Sequence, residues 1–401
     1  MPRVPAGPGY WPALDGLRAI AVLAVFLLHN GRWITVHNGG YGVEMFFVIS
    51  GFLITTLLLR EHARRGRVRL VRFWSRRLAR LYPALVVMVA TSATYAALSH
   101  RTDLPGQHRL DTAPNIFRSV APAVLYLTNL FLPQHHYLGG HVHTWSLAVE
   151  EQFYLVLPIL LVIVLRRRHA QRILLVGVTA LAVGAQVWRL CLYRYAYVDH
   201  VVSSSKWWYP KYVRVLVETD RADTLLWGVL LALVLWYLPS RQRLIGAIDA
   251  LAPFGFVYVM WVVTIGPRRV FGSVYYPNLV FGAAAAIVVG GVVLQPERRL
   301  ARTLGLSPLV WMGRLSYSFY LWHFLIIRAF INDHQFGLGP AGVTALRLVV
   351  CLAAAWISYT VIEQPFRTWF NTRHAEAPPW PAPAPSSRIP ADERVGTGLL
   401  S

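Results

Sequence analysis

Charge is what this sequence has least of: 14% of its 401 residues are charged, where soluble domains carry about 25%. Acidic residues are scarcer still, 18 against 39 Lys and Arg, and lysine occurs only as Lys206 and Lys211. Cysteine appears twice, at Cys191 and Cys351, each within an apolar stretch. That excludes a disulfide framework, and a lone cysteine in such a stretch is more often a packing residue than a nucleophile. The first apolar run, 19–28, has Asp15 and Arg18 before it and no small-residue cleavage site after it, so it is expected to remain as a first span. No paired halves with broken helices at matching positions are visible, which weakens a transporter reading.

What is present in excess is hydrophobicity, 56% of residues, concentrated in runs near the ~20 residues that cross a bilayer core. Such windows fall at 13–31, 41–59, 82–99, 152–166, 173–191, 222–239, 251–267, 278–295, 309–331 and 342–362. The net charge of +21 could suggest nucleic acid. The basic residues lie in short clusters between apolar runs, however, as loops on the cytoplasmic side do, so no nucleic-acid partner is expected. Residues 60–80 alone hold nine arginines and one glutamate. The piece 120–132, with Pro122 and Asn129, is short for a span. If it does not cross, Arg166 to Arg168, Arg241, Arg243 and Arg298 to Arg302 all fall on the cytoplasmic side. The expected fold class is therefore all-α, a polytopic bundle of about ten spans with both termini cytoplasmic and 120–132 as a re-entrant or interfacial helix. It divides into an N-terminal segment 1–12, a transmembrane domain 13–370 and a Pro/Ala-rich, disordered tail 371–401. Localisation in the plasma membrane as a multi-pass protein follows.

Ionisable side chains within spans are costly and mark functional sites by default. Arg18 and His29 are eleven residues apart, about three helical turns and roughly 16 Å, so both project from one face. Arg18 alone would equally suit a residue snorkelling to headgroups. Ser50-Gly51 permits close approach of a backbone or a ligand, and Glu44 is expected to be wet. Arg76, Arg77 and Arg80 form a cationic stripe at the start of the third span, suited to phosphate. Glu150 and Tyr154 share a face, and a carboxylate there could meet an intramembrane histidine and hold its tautomer. Ser316, Tyr320 and His323 share another. The long segment 100–151, with His100, His108, His135, His136, His141 and His143, reads mostly as solvated loop without metal-ligand spacing. The aromatics of 206–209 read as an interfacial belt.

Six pieces in order, LDGLRAIAVLAVFLLH (14–29), GVEMFFVISGFLIT (42–55), FWSRRLARLYPAL (73–85), HTWSLAVEEQFYLVLP (143–158), SYSFYLWHF (316–324) and IEQPFR (362–367), resemble the acyltransferase-3 family of integral membrane acyltransferases. The resemblance covers about residues 10–370. It implies a ten-span bundle moving acyl groups from acyl-CoA to hydroxyls of carbohydrate-containing acceptors. The family's arginine, ten residues, histidine element falls on Arg18 and His29, its arginine pair on Arg77 and Arg80, and its Trp-Ser-Leu-x-x-Glu element on Trp145 to Glu150. Some relatives carry a C-terminal hydrolase-like domain, which the short sequence after 370 is not expected to supply.

Acylation by a thioester needs a base for the alcohol proton, positive charge at the developing oxyanion and anchors for the CoA phosphates. On this reading His29 is the base, Glu150 orients it, and Arg18 stabilises the thioester or pyrophosphate. Arg77, Arg80 and Ser50 bind the donor; Trp145, Tyr317, Tyr320 and His323 contact the acceptor. No serine or cysteine stands in a nucleophile arrangement, which favours direct transfer, with an acyl-histidine step as the other route. Neither a metal nor a permanently bound cofactor is expected; acyl-CoA is a co-substrate. The acceptor is a cell-envelope glycan or a glycosylated small molecule. A transporter or flippase, and a membrane scaffold, are the readings from other classes.

Overall fold

The computed structural model describes residues 10–31, 36, 38–99, 113–134, 139–193, 223–238, 242–266, 276–331 and 337–373. Every long element among them is a helix: α1 (Pro12–Asn30), α2 (Tyr41–Arg65), α3 (Leu70–Ser99), α4 (Ala113–Val124), α5 (Trp145–Leu165), α6 (Ala170–Tyr193) and α7 (Asp223–Tyr237) in the first part. Then come α8 (Gln242–Thr264), α9 (Tyr276–Leu294), α10 (Arg299–Leu304), α11 (Ser307–Leu325), α12 (Pro340–Ser358) and α13 (Gln364–Arg373). Two π-helical turns, Ile326–Phe330 and Tyr359–Glu363, extend α11 and join α12 to α13.

Among the described residues, seven helices are long and apolar enough to cross a membrane. The apolar stretches Asp223–Tyr237 and Val280–Leu294 are shorter, and α11 is diluted by Arg314, Ser316, Ser318 and His323. Several helices outrun their apolar windows. α3 begins at Leu70, so the arginine stripe is part of the same rod as the span rather than of a loop before it. Likewise α13 carries helix to Arg373, three residues into the segment expected to be a disordered tail; 374–401, with His100, His108, His135, His136 and the aromatics of 206–209, lie outside the described residues.

α1 and α2 are central, and α6, α8 and α12 are peripheral. The outer helices expose large apolar side chains, among them Trp188, Phe254, Val257, Val349 and Trp356. A row of such residues facing water would be an aggregation surface; facing lipid it needs no protein partner. The core contacts depend on small residues. At the crossing of α2 and α7, a Cβ on Gly51 would collide with the Leu225 carbonyl and one on Gly228 with the Val48 carbonyl. α1 meets the N-terminal half of α11 in the same way, Gly313 lying against the Asp15 backbone. Gly228→Val is expected to cost about 2 kcal/mol by overpacking, lowering the melting temperature in detergent. Gly177→Val on α6, where a Cβ meets nothing within 4 Å, serves as the silent control; equal melting of the two variants would remove the crossing from the account.

The 120–132 piece does not form a span. α4 ends at Val124, and the chain reverses through Tyr126, whose φ of 54° is unusual for a bulky residue. Gln152 of α5 holds that reversal, donating to the Tyr126 carbonyl (2.9 Å) and exchanging amide hydrogen bonds with Asn129. The chain then returns through two 3-10 turns, Thr128–Gln134 and Gly139–Thr144, into α5. His141 and His143 are accordingly buried, 2% and 3% exposed, not solvated as the sequence suggested. Glu44, expected to be wet, is also buried, at 1%.

Candidate active site

A cavity of about 510 Å³ opens between α1, α2, α3, α5 and α11. Six arginines line it: Arg18, Arg60, Arg72, Arg76, Arg77 and Arg80. Three carboxylates, Asp15, Glu61 and Glu150, join them, so the cavity is a cationic funnel at the end bearing the basic 60–80 segment. Its depth is lined by Phe46, Phe47, Ser50, Ser146, Ser316 and Tyr320. The volume suits a drug-sized or cofactor-sized ligand, and the arrangement of forked cations leading to an apolar, hydroxyl-bearing interior suits a polyphosphate carrying a short apolar arm.

The arginines are held by carboxylates from other helices. Arg77 pairs through Nε with Glu151 (3.3 Å) and through Nη2 with Glu150 (3.5 Å), and its guanidinium lies 3.2 Å from the centre of the Tyr154 ring. Glu150 also accepts from Ser50 Oγ (2.5 Å) and from the Tyr154 hydroxyl. Arg80 uses Nε on Glu363 (3.4 Å), which also accepts from Ser318 Oγ (3.3 Å). Glu363 is fully buried on the π-turn before α13; the wider turn displaces the register of the side chains that follow, a device common at functional sites. Arg18 bonds to Asp15 (3.5 Å), which Tyr10 also engages (2.7 Å).

Tyr320 closes the inner end. Its hydroxyl donates to the His143 carbonyl (2.7 Å) and shares a bond with Ser146 Oγ (2.7 Å). Tyr317 lines the cavity too, with its hydroxyl donated to the Leu81 carbonyl (2.6 Å). Beyond Tyr320 lies His29, half-buried, whose Nδ1 is 3.1 Å from His323 Nε2. His29, His323 and Trp145 do not line the cavity. The contact expected between Glu150 and His29 is not formed: Glu150 is turned toward Ser50, Tyr154 and Arg77, and the partner of His29 is another histidine. The reason is depth. Glu150 lies on the cavity wall at the level of Arg77, while His29 is about three turns above Arg18.

Several participants were not singled out from sequence. Arg60 and Arg72 at the mouth have the same charge as the stripe of Arg76, Arg77 and Arg80, but nothing local to the sequence said that they converge with it. Glu151 and Glu363 stand in quoted motifs without a role until their partners are known. Arg347, 3% exposed in the middle of α12, was a signal available in the apolar window 342–362. It donates to the Ile331 carbonyl (2.7 and 3.0 Å) and to Asn30 Oδ1 (3.1 Å), tying the end of the first π-turn to the residue after His29.

The chain matches the family model described as an acyltransferase domain over residues 11–362. It is 31% identical over 386 residues to the O-acetyltransferase OatA of Staphylococcus aureus (strain NCTC 8325 / PS 47), covering 90% of this chain and 58% of that protein. A putative O-acetyltransferase, SAS0844, of Staphylococcus aureus (strain MSSA476) is 31% identical over 385 residues, covering 89% of this chain and 57% of the relative. The chain thus spans a little over half the length of these relatives. No solved structure matches it.

Proposed function

The chain belongs to the acyltransferase-3 family, and from that membership we propose that it is a membrane O-acetyltransferase, taking acetyl from acetyl-CoA to a hydroxyl of a carbohydrate-containing acceptor. The observation that carries this reading is the convergence of six arginines on one cavity whose inner end, Tyr320, stands next to the His29–His323 pair. CoA offers phosphates for the arginines at the mouth and a narrow pantetheine arm for the interior. The membrane setting is a plasma-membrane bundle of ten crossings with both termini in the cytoplasm, placing the basic end toward the CoA pool.

In the reaction, the acceptor hydroxyl gives its proton to His29 as its oxygen attacks the thioester carbonyl carbon. Collapse of the tetrahedral intermediate breaks the C–S bond, and the CoA thiolate takes the proton back from the imidazolium. Arg18, with its charge aimed into the cavity, stabilises the thioester end. The thioester must pass or displace Tyr320 to meet His29, so the Tyr320 bonds to His143 and Ser146 are the contacts that change on donor entry. Transfer is direct, with no acyl-enzyme.

The test is the full chain in nanodiscs with acetyl-labelled CoA and a panel of hydroxyl-bearing glycans. Acceptor-dependent release of CoA thiol with label on the glycan is the expected result; movement of intact substrate without thiol release would replace the enzyme by a transporter. Arg80→Ala is expected to raise KM for acetyl-CoA about tenfold, the loss of one charge-assisted contact of about 1.5 kcal/mol, with kcat changed much less. An unchanged KM would take Arg80 out of donor binding.

A further inference from the structure

The geometry points to His323 as the residue that fixes the tautomer of His29, leaving the His29 Nε2 lone pair bare to receive the acceptor's proton. The inference rests on His29 being the base.

The assignment follows from donors and acceptors alone. His323 Nδ1 lies 2.6 Å from the Tyr320 carbonyl oxygen. A carbonyl oxygen only accepts, so His323 Nδ1 carries a hydrogen. The ring is fully buried and, among the described residues, no carboxylate contacts it or His29. A cationic ring there would be a buried charge without a counter-ion, so His323 is neutral and its Nε2 is a lone pair. That lone pair faces His29 Nδ1 at 3.1 Å, and the bond forms only if His29 Nδ1 donates. The Val25 carbonyl, one turn back on α1, is a second acceptor for the His29 ring; with the single hydrogen of a neutral His29 on Nδ1, its Nε2 is left as the acceptor.

The surroundings hold both rings to this geometry. His323 stacks in parallel with Phe319 at 6.4 Å between centroids, and His29 packs edge-on against Phe324 at 5.2 Å. His143 donates from Nε2 to the Leu321 carbonyl (3.2 Å) and stacks on Phe324 at 5.0 Å, bracing the same turn of α11. Asn30, locked by Thr344 (2.7 Å) and Arg347, fixes the end of α1 next to His29. His323 is therefore a positioning residue. It touches no reacting atom and acts by denying His29 the wrong tautomer, the role an acceptor commonly plays behind a catalytic or metal-bound imidazole.

The experiment compares His323→Asn, whose side-chain oxygen can still accept, with His323→Phe, which fills the space without accepting. The readout independent of activity is nitrogen NMR of the ¹⁵N-histidine-labelled full chain in nanodiscs, the His29 signals being assigned by difference with His29→Gln. Wild type is expected to show His29 protonated at Nδ1 and bare at Nε2, and the Phe variant a mixture of tautomers. In turnover, the Phe variant should lose about 100-fold in kcat with KM for acetyl-CoA within twofold, and the Asn variant should recover most of that loss. A wild-type His29 protonated at Nε2, or equal kcat in the Asn and Phe variants, would overturn the assignment. If His29→Gln itself turns over normally while the NMR result holds, the base reading fails and the hydrogen-bond assignment stands.

Discussion

Replacing His29 by glutamine is expected to lower acetyl transfer by at least about 10²-fold, and up to about 10⁴-fold, the range over which a positioned base contributes. Glutamine is chosen because its amide N–H can still donate toward His323 Nε2, so the end of α1 keeps its partner. The loss should therefore appear in kcat, with KM for acetyl-CoA near that of wild type, because the arginines proposed to bind the donor lie along the cavity and not at His29. Membrane insertion, elution as a single species and an unchanged melting temperature are the accompanying controls. Turnover like wild type from a folded variant would remove His29 as base, whatever its hydrogen bonds.

The second large effect falls on stability. Arg77 is the shared partner of Glu150 and Glu151, with about a fifth or less of each side chain exposed. Arg77→Met leaves two adjacent carboxylates facing each other in a low-dielectric wall, and breaking such a group is expected to cost about 3 kcal/mol. The melting temperature should fall by several degrees and the yield of inserted protein with it. Neutralising the orphans in Arg77→Met/Glu150→Gln/Glu151→Gln should restore most of the stability, since a buried ion group contributes little net once its desolvation is counted. Activity should not return, because the charge pattern of the cavity wall is lost. If Arg77→Met melts like wild type, the group is solvated in the working protein and the account of the wall is wrong.

These two residues also show how differently parts of the site can be read from sequence. The pairing of Arg18 and His29 on one face follows from helical period alone, as does the adjacency of Glu150 and Tyr154, which do bond. Ser50-Gly51 was legible as a point of close approach, and the structure puts Leu225 of α7 against Gly51 while Ser50 reaches Glu150. That Glu150 and His29 do not meet was not available by such means. It required knowing the relative depth of two helices, α1 and α5, whose order in the sequence says nothing of their vertical offset. His323 shows the same limit: its face on α11 was plain, and its partner, 294 positions away, was not.

Composition and period alone decided that this chain is a bundle of apolar helices with cations at one end, because a bilayer core tolerates only self-satisfied backbone and sorts charge to its edges. They also placed Arg18 with His29, and Glu150 with Tyr154, on single helix faces. Which of those residues meet was decided by tertiary packing: the contacts of Gly51 with Leu225, and of Gly313 with Asp15, set how closely helices approach and at what height. The π-turn at Tyr359–Glu363 sets the register from which Glu363 reaches Arg80. Local sequence specifies direction around a helix axis, whereas offset along that axis is a property of the interface between two helices, and only the folded pair possesses it.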